Sequence, residues 1–430
     1  MLKNKKKNMI PFDMKEPPIR QNPILTGLLW AASWLVTRKF RLKIRKDLHG
    51  IKPPYLVLST HQGFSDYYLV PLALFPFRAN YVSDMEGFAA YGKWLYRAGG
   101  CIGKRRYVPD LSVIYNIKYS LFTLHQSVVL FPESRHSNVG TTSQIPDNMG
   151  RLVKYLGVPL VILRAQGSYL ANPFWDEEHT RKTRMEVSLD GIYTADDVRR
   201  LTAEEIQKTI EENLRYDEYE WQLQNEIVID APKRAEGLHK PLYQCIACKT
   251  QGRMVSRGAL LCCKQCGSSW KMDSYGRLIG SDGNYYHIPD WYEWERQQVI
   301  WEIQDGSYVL DIPVRIEALP NEKGFVELGT GKLTHDSEKY VLSFDFADEG
   351  VELSSPLVWY NRNLESTQTE YNYRGKGKCI VLSTQDCCYY IYSDEPEFCV
   401  TKLMFAVEAV YTAVKKGESI MNDKKGDQTV

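Results

Sequence analysis

A histidine and an aspartate lie five positions apart in His61-Gln62-Gly63-Phe64-Ser65-Asp66, directly after the apolar run Tyr55-Leu56-Val57-Leu58-Ser59. On one helix that offset is about 500°, which leaves the two side chains some 140° apart around the axis and out of contact. A loop must therefore bring them together, and Gly63 permits the bend. A carboxylate that holds the Nδ1 proton of an imidazole leaves Nε2 facing outward as a base. The plainer alternative, Asp66 as a helix cap and His61 as a satisfied polar residue, fits the pair taken alone. Two more polar clusters follow apolar runs. Gly99-Gly100-Cys101-Ile102-Gly103-Lys104-Arg105-Arg106 places three cations after glycines, where Lys104, Arg105 and Arg106 can converge on a phosphate; a solvated charge run has the same composition. Phe131-Pro132-Glu133-Ser134-Arg135-His136-Ser137 ends the most apolar run, and Val158-Pro159-Leu160-Val161 starts another.

A second constellation is Cys245-Ile246-Ala247-Cys248 with Cys263-Lys264-Gln265-Cys266, two CxxC pairs separated by 14 residues. Two-residue spacing lets one tight turn present two thiolates to one metal ion, and two such turns complete a tetrahedron. Gly267 supplies permissive backbone after the second turn, and Cys262 is an alternative ligand. Four thiolates leave no open coordination position, so the expected group is a structural zinc, with a redox dithiol or buried cysteines as the alternatives.

The elements that have to position these residues alternate in kind. Apolar runs at 55–59, 79–83, 127–131, 158–163 and 184–189 read as strands, separated by helical stretches at 87–98, 111–126 and 147–157. Thr202-Ala203-Glu204-Glu205 is a capping signature that opens a polar helix reaching about residue 215. The fold class is therefore α/β, a sheet covered by helices. In such sheets ligands gather outside the carboxyl ends of strands, where the three polar clusters fall in order. After residue 300 the texture is β-rich, with strands expected at 308–314, 339–344, 378–382 and 388–392 and a closing helix at 399–415. The aromatic run His287 to Trp294 is expected to pack between the cysteine window and this β-rich part.

At 430 residues the chain is long enough for two or three domains, taking roughly 150 residues for each. The expected division is a basic, amphipathic N-terminal segment over 1–50, an α/β domain over 51–230, a zinc ribbon over 241–285, a β-rich domain with its helix over 300–415, and a flexible tail over 416–430. Formal net charge is +1, yet residues 1–50 hold 12 basic side chains, Lys3, Lys5, Lys6 and Lys7 among them, against three acidic ones; that +9 leaves −8 for the remainder. A cationic patch on an acidic body suits an anionic partner. Residues 24–36 are apolar, carry Trp30 and Trp34, and are followed by Arg38-Lys39-Phe40-Arg41-Leu42-Lys43-Ile44-Arg45-Lys46. Too short to span a bilayer, they read as a helix lying in a membrane surface with a half-buried strand behind it. A helix covering the domain core has the same length. Prolines and acids between the basic start and the apolar run argue against a secretory signal. With no export signal, the cysteines point to a reducing cytoplasm. The ribbon segment lacks a dense basic and aromatic surface, so nucleic acid is not an expected partner.

In order, these blocks resemble the superfamily of glycerolipid and lysophospholipid acyltransferases that includes the 1-acylglycerol-3-phosphate acyltransferases. His61 to Asp66 matches its first block, a histidine, four residues and an aspartate. Gly100 to Arg106 is similar to the second, and Phe131-Pro132-Glu133 to the start of the third, Phe-Pro-Glu-Gly-Thr-Arg; Ser134-Arg135-His136 departs from it, in a way similar to a bacterial subgroup. Val158-Pro159 looks like the fourth. The resemblance covers about residues 25–220. It implies a membrane-surface enzyme, peripheral on the inner face of the cell membrane, that moves a fatty acyl group from acyl-CoA or acyl-carrier protein to a hydroxyl of a lysophospholipid or glycerol-phosphate-type acceptor. His61 would be the base and Asp66 its orienting partner, with no acyl-enzyme. Lys104, Arg105, Arg106 and Arg135 would bind the acceptor phosphate, Glu133 would support the acceptor, and Val158 and Pro159 would belong to the acyl site. The alternative is a non-catalytic lipid-binding scaffold that uses the ribbon and the β-rich region to recruit a partner.

Overall fold

The computed structural model describes residues 9–176, 178–348, 351–352 and 356–417. Lys3, Lys5, Lys6 and Lys7, and the expected tail beyond Gly417, lie outside the described residues.

The first region is built on a seven-stranded sheet. Its strands are β1 (Lys43–Asp47), β2 (Leu56–Ser59), β3 (Ala79–Asp84), β4 (Cys101–Lys104), β5 (Ser127–Leu130), β6 (Leu160–Gln166) and β7 (Glu186–Tyr193), in the order β1-β7-β6-β2-β5-β3-β4. The strands from β6 to β4 run parallel, while β7 is antiparallel to β6 and carries β1 parallel on its outer edge. The helices are α1 (Pro23–Thr37), α2 (Asp66–Leu74), α3 (Met85–Tyr91), α4 (Lys93–Ala98), α5 (Leu111–Lys118), α6 (Met149–Leu156), α7 (Ser168–Ala171), α8 (Ala195–Arg200), α9 (Ala203–Leu214) and α10 (Glu218–Gln224).

Side chains alternate across the central strands, and both faces are covered, which is why those strands are continuously apolar. Leu56, Leu58, Val128, Leu130 and Ile162 pack with Val113 and Ile117 of α5, Val153 of α6 and Ile206 and Ile210 of α9. Val57, Val129, Val161 and Leu163 face Leu69, Val70, Ala73 and Leu74 of α2. The helix expected over 87–98 is two helices, because Gly92 takes a φ of +80° between them. Thr202 and Glu205 form the expected capping box.

The cysteine window folds into a five-stranded antiparallel sheet of β8 (Met254–Arg257), β9 (Leu260–Cys263), β10 (Ser269–Met272), β11 (Leu278–Gly280) and β12 (Tyr285–Tyr286). Helix α11 (Ile288–Asp305) follows. The β-rich region is a seven-stranded antiparallel sheet of β13 (Leu310–Leu319), β14 (Val326–His335), β15 (Lys339–Phe344), β18 (Leu357–Tyr360), β19 (Gln368–Glu370), β20 (Cys379–Ser383) and β21 (Cys388–Tyr392). A small pair, β16 (Ala347–Asp348) and β17 (Val351–Glu352), branches from it, and α12 (Val400–Lys416) closes the region.

These parts share one apolar core. It runs from Tyr169, Trp175, Tyr219 and Trp221 through Leu261, Trp270 and Trp291 to Ile312, Leu403 and Phe405. The aromatic run packs as expected, with Trp291 edge-on to Trp270 at 4.8 Å and Tyr292 edge-on to Phe405 at 4.6 Å. Arg105 reinforces the seam, since its buried guanidinium donates to the main-chain oxygens of Gln385 (2.7 Å), Asp386 (3.0 Å) and Pro320 (3.2 Å).

Helix α1 lies against α2, with Trp30 4.9 Å from Phe75 between ring centroids. Ile24, Leu28 and Leu35 remain exposed, Ile24 to 73%. At 100° per residue those three fall within about 40° of one another, a single apolar stripe. Among the described residues no helix is long and apolar enough to cross a membrane.

Candidate active site

The dyad forms at the carboxyl end of β2. Thr60 fixes the chain there: its N–H donates to Leu163 O (3.1 Å) and its hydroxyl accepts from Ala165 N–H (3.0 Å). The loop then turns into α2, whose first residue is Asp66. Oδ2 of Asp66 accepts the N–H groups of Gln62 (2.7 Å) and Gly63 (3.1 Å) and faces His61 Nδ1 at 3.3 Å. The expected loop closure is present, with Nδ1 and not Nε2 on the carboxylate. The main chain of His61 is clamped from β5, with its N–H donating to Glu133 Oε1 (2.9 Å) and its carbonyl accepting from Ser137 N–H (3.1 Å).

Glu133 thus holds the loop that carries the dyad. Its other oxygen accepts from Ser143 N–H (2.7 Å) and the Tyr216 hydroxyl (3.2 Å), so both oxygens are engaged within the protein. Burial pushes this carboxyl up to about 8, against the pull of those donors. Glu218, which accepts from Gly167 N–H (2.7 Å), is likewise raised by burial to about 8. Folded chains thus keep both protons up to about pH 8, whereas unfolded chains release them near the ordinary value of 4.5. Because the native state binds more protons within that window, these groups make stability fall as pH rises from about 4.5 to about 8. Melting temperatures measured from pH 5 to pH 8 are expected to fall less steeply in Glu133→Gln than in the wild-type chain. An equal slope would exclude a neutral Glu133.

The remaining expected ligands divide. Lys104 Nζ donates to Ser134 Oγ at 3.2 Å, and burial holds its pKa below the ordinary lysine value. Ser134 has a φ of +56°, a left-handed conformation that costs a non-glycine residue roughly 1–2 kcal/mol, and glycine stands there in the resembled block. Arg106 pairs with Asp84, and its Nη1 is buried with no hydrogen-bond partner among the described residues. Lys104 and Arg106 therefore reach the loops around the dyad. Arg105 does not, being turned to the carbonyls of the β-rich region.

Arg135 is also drawn away. Its Nη2 lies 3.0 Å from Glu408 of α12, and Glu408 in turn holds Arg296 of α11 at 2.5 Å and Ser366 Oγ at 2.5 Å. Removing that carboxylate would leave the buried Arg135 guanidinium without its ion pair, while Arg296 keeps Glu293 at 2.8 Å. Glu408→Ala is expected to cost about 3–5 kcal/mol, read as a shift in denaturant midpoint.

Val158 and Pro159 precede β6 at the amino edge of the sheet, where Pro159 O accepts from Leu56 N–H at 3.0 Å. The length of β2 separates them from His61, roughly 15–20 Å at 3.3 Å per residue. Val158 is a core residue there, remote from the dyad.

One site residue was not foreseen. The ring of His136 lies 4.3 Å from that of His61, tilted by 59°. Phe131 (4.4 Å) and Tyr67 (5.9 Å) complete the surroundings of His61, while Phe64 (4.6 Å) and Phe174 (5.9 Å) border His136. Phe64 and Tyr67 are partly open to solvent, which gives the site an aromatic mouth. The cue in the sequence was position alone: His136 stands three residues past Glu133, where the resembled block has arginine. Tyr216 and Asp84, which hold Glu133 and Arg106, left no cue at all.

The four expected cysteines converge. Their Sγ atoms all lie within 4.8 Å of one another, with Cys245–Cys266 and Cys248–Cys263 both at 3.7 Å. A tetrahedron with Zn–S bonds of about 2.3 Å has edges of about 3.8 Å, so the set fits a zinc ion. The two turns match: Lys249 N–H donates to Cys245 O (2.8 Å) and Gly267 N–H to Cys263 O (3.0 Å), both donors at positive φ. Cys262 is not in the group.

No family model matches the chain, and no curated protein does. Among solved structures, the crystal structure of the 1-acyl-sn-glycerophosphate (LPA) acyltransferase, PlsC, from Thermotoga maritima is similar at 15% identity and a TM-score of 0.31, over 44% of this chain and 79% of that one.

Proposed function

We propose that the chain is an acyltransferase acting at a membrane surface. The observation that carries this reading is His61, its Nδ1 on Asp66 and its main chain clamped by Glu133, at the carboxyl end of β2 beside an aromatic mouth. The acceptor is a lysophospholipid or glycerol-phosphate-type alcohol and the donor a thioester, acyl-CoA or acyl-carrier protein. His61 Nε2 takes the acceptor O–H proton as the oxygen attacks the thioester carbonyl carbon. The C–S bond then breaks, and the thiolate leaves with the proton returned from His61. Asp66 keeps the imidazole oriented and stabilises it while charged. Lys104 and Arg106 are the phosphate ligands, and the unpaired Arg106 Nη1 supports that role.

The apolar stripe of α1, flanked by the exposed cations Arg38, Lys39, Lys43 and Arg45, supports docking on the anionic cytoplasmic face of a membrane. Cys245, Cys248, Cys263 and Cys266 hold a structural zinc ion.

Lipid mass spectrometry tests the reaction: full-length protein with anionic liposomes, a mixture of lysophospholipids and both donor types is expected to yield a diacyl product that the His61→Ala chain does not make. In the same preparation, Leu28→Asp with Leu35→Asp is expected to abolish cosedimentation with the liposomes. Liposome binding by both chains with no product from either would favour the lipid-binding scaffold.

A further inference from the structure

His136 combines contact with the candidate base and a polar atom that nothing satisfies. It is 7% exposed, its ring touches that of His61, and its Nε2 is buried without a hydrogen-bond partner among the described residues. Buried polar atoms in native proteins are nearly all paired, so such an atom beside a reacting group calls for a partner that arrives with the substrate. Of the nearby cations, Lys104 is on Ser134 and Arg106 on Asp84, and the unpaired Arg106 Nη1 is given to the acceptor phosphate in the reading above. His136 Nε2 has no such partner, and Phe64 and Phe174 wall the ring in on other sides.

The reaction proposed above creates one new acceptor that needs a donor, the thioester carbonyl oxygen as it becomes an oxyanion. The geometry points to His136 as a second catalytic residue, whose Nε2–H holds that oxygen while His61 takes the proton. This rests on the acyltransferase reading. The acceptor oxygen bonds to the carbonyl carbon, the C=O electron pair moves onto oxygen, and the acceptor proton goes to His61 Nε2. The C=O bond then re-forms, the C–S bond breaks, and the thiolate takes the proton from His61. His136 gives up no proton at any stage.

The electrostatics suit that task. Burial first, then the neighbouring His61 and Arg106, hold the His136 pKa well below the ordinary histidine value, so the ring is neutral at physiological pH. A neutral donor can bind the oxyanion without opposing the positive charge that His61 acquires in the same step. Donors of this kind act where charge develops, and removing one costs about 10²–10³-fold in kcat.

The test compares His136→Phe and His136→Leu, which lack a donor, with His136→Gln, which keeps an N–H at a similar reach. Each is assayed as the full chain beside wild type and His61→Ala, with oleoyl-CoA or oleoyl-acyl-carrier protein as donor and 1-oleoyl-glycerol-3-phosphate or lysophosphatidylethanolamine in anionic vesicles. The donorless variants are expected to lose about 10²–10³-fold in kcat with both KM values within twofold and melting temperature preserved, and His136→Gln to lose no more than about tenfold. The proposal is overturned by equal kcat in the Gln and the donorless variants, by a donorless variant within threefold of wild type, or by a loss confined to acceptor KM. If one donorless variant fails to fold, the other carries the comparison. A folded wild-type chain that makes no product with any pairing overturns the acyltransferase reading itself, whereas product made equally well without a donor at 136 overturns only the oxyanion role.

Discussion

His61→Ala is expected to lower transfer by at least about 10³-fold while the protein stays folded. A positioned general base contributes about 10²–10⁴-fold, and the neighbouring His136 lacks the carboxylate partner that orients and stabilises His61. The fold survives because its links to this residue are main-chain ones: Glu133 accepts the His61 N–H, Ser137 donates to its carbonyl, and both persist in alanine. Asp66 keeps its two amide donors from Gln62 and Gly63, so its charge is not stranded. The lost packing against Phe131 and His136 falls within the usual 0.5–3 kcal/mol range of single substitutions, about a few degrees in melting temperature. Product formation per folded molecule, with melting temperature beside it, is the measurement. Turnover unchanged from wild type would end the proposed mechanism.

Cys263→Ser, or a strong chelator, is expected to have the largest effect on stability. Structural zinc in finger peptides is held with an apparent free energy of about 10–16 kcal/mol, as large as the whole stability of a typical domain. Cys245 and Cys263 are buried and belong to the same apolar cluster as Trp270 and Trp291, so the metal site is not an appendage that could open by itself. Elemental analysis is expected to give one zinc per chain, lost in Cys263→Ser together with a fall of more than about ten degrees in melting temperature. Cobalt exchanged into the site is expected to show the absorption of a tetrahedral thiolate centre. A metal-free preparation with wild-type melting would show that the four thiols pack without an ion.

The pattern of what could be read from the chain follows from the range of the forces involved. Local signals were enough for the strands of the first sheet, the Thr202 capping box and the two CxxC turns, because alternation, capping and turn geometry act over a few residues. The closure of His61 on Asp66 was also local, confined to one six-residue loop. The partners that Arg105 and Arg135 take in the structure were hidden for the opposite reason. Their partners lie in the β-rich region, more than two hundred positions away, and nothing near either arginine announces a carbonyl cluster or a buried glutamate. Val158-Pro159 carried a motif without carrying a location, since a sequence block does not say which end of the sheet it occupies. His136 needed tertiary packing to be noticed at all, whereas Glu133 was noticed without the loop that it holds.

The seam around Arg105 bears on how the chain can be divided. Tyr216, which supports Glu133, and Glu218, which binds Gly140 O and Gly167 N–H, sit just before and within α10, and α10 packs into the core shared with the ribbon. Asp217, between them, meets His287 Nε2 at 2.7 Å, just ahead of α11. A fragment cut near residue 230 would keep every residue of the dyad and its loops, yet lose the carbonyls that cap Arg105, the carboxylate that neutralises Arg135 and the imidazole that anchors Asp217. Modularity in the sequence is thus not modularity in the molecule: the half with the dyad and the half with the four cysteines are one unit of inheritance, to be expressed, swapped or deleted together.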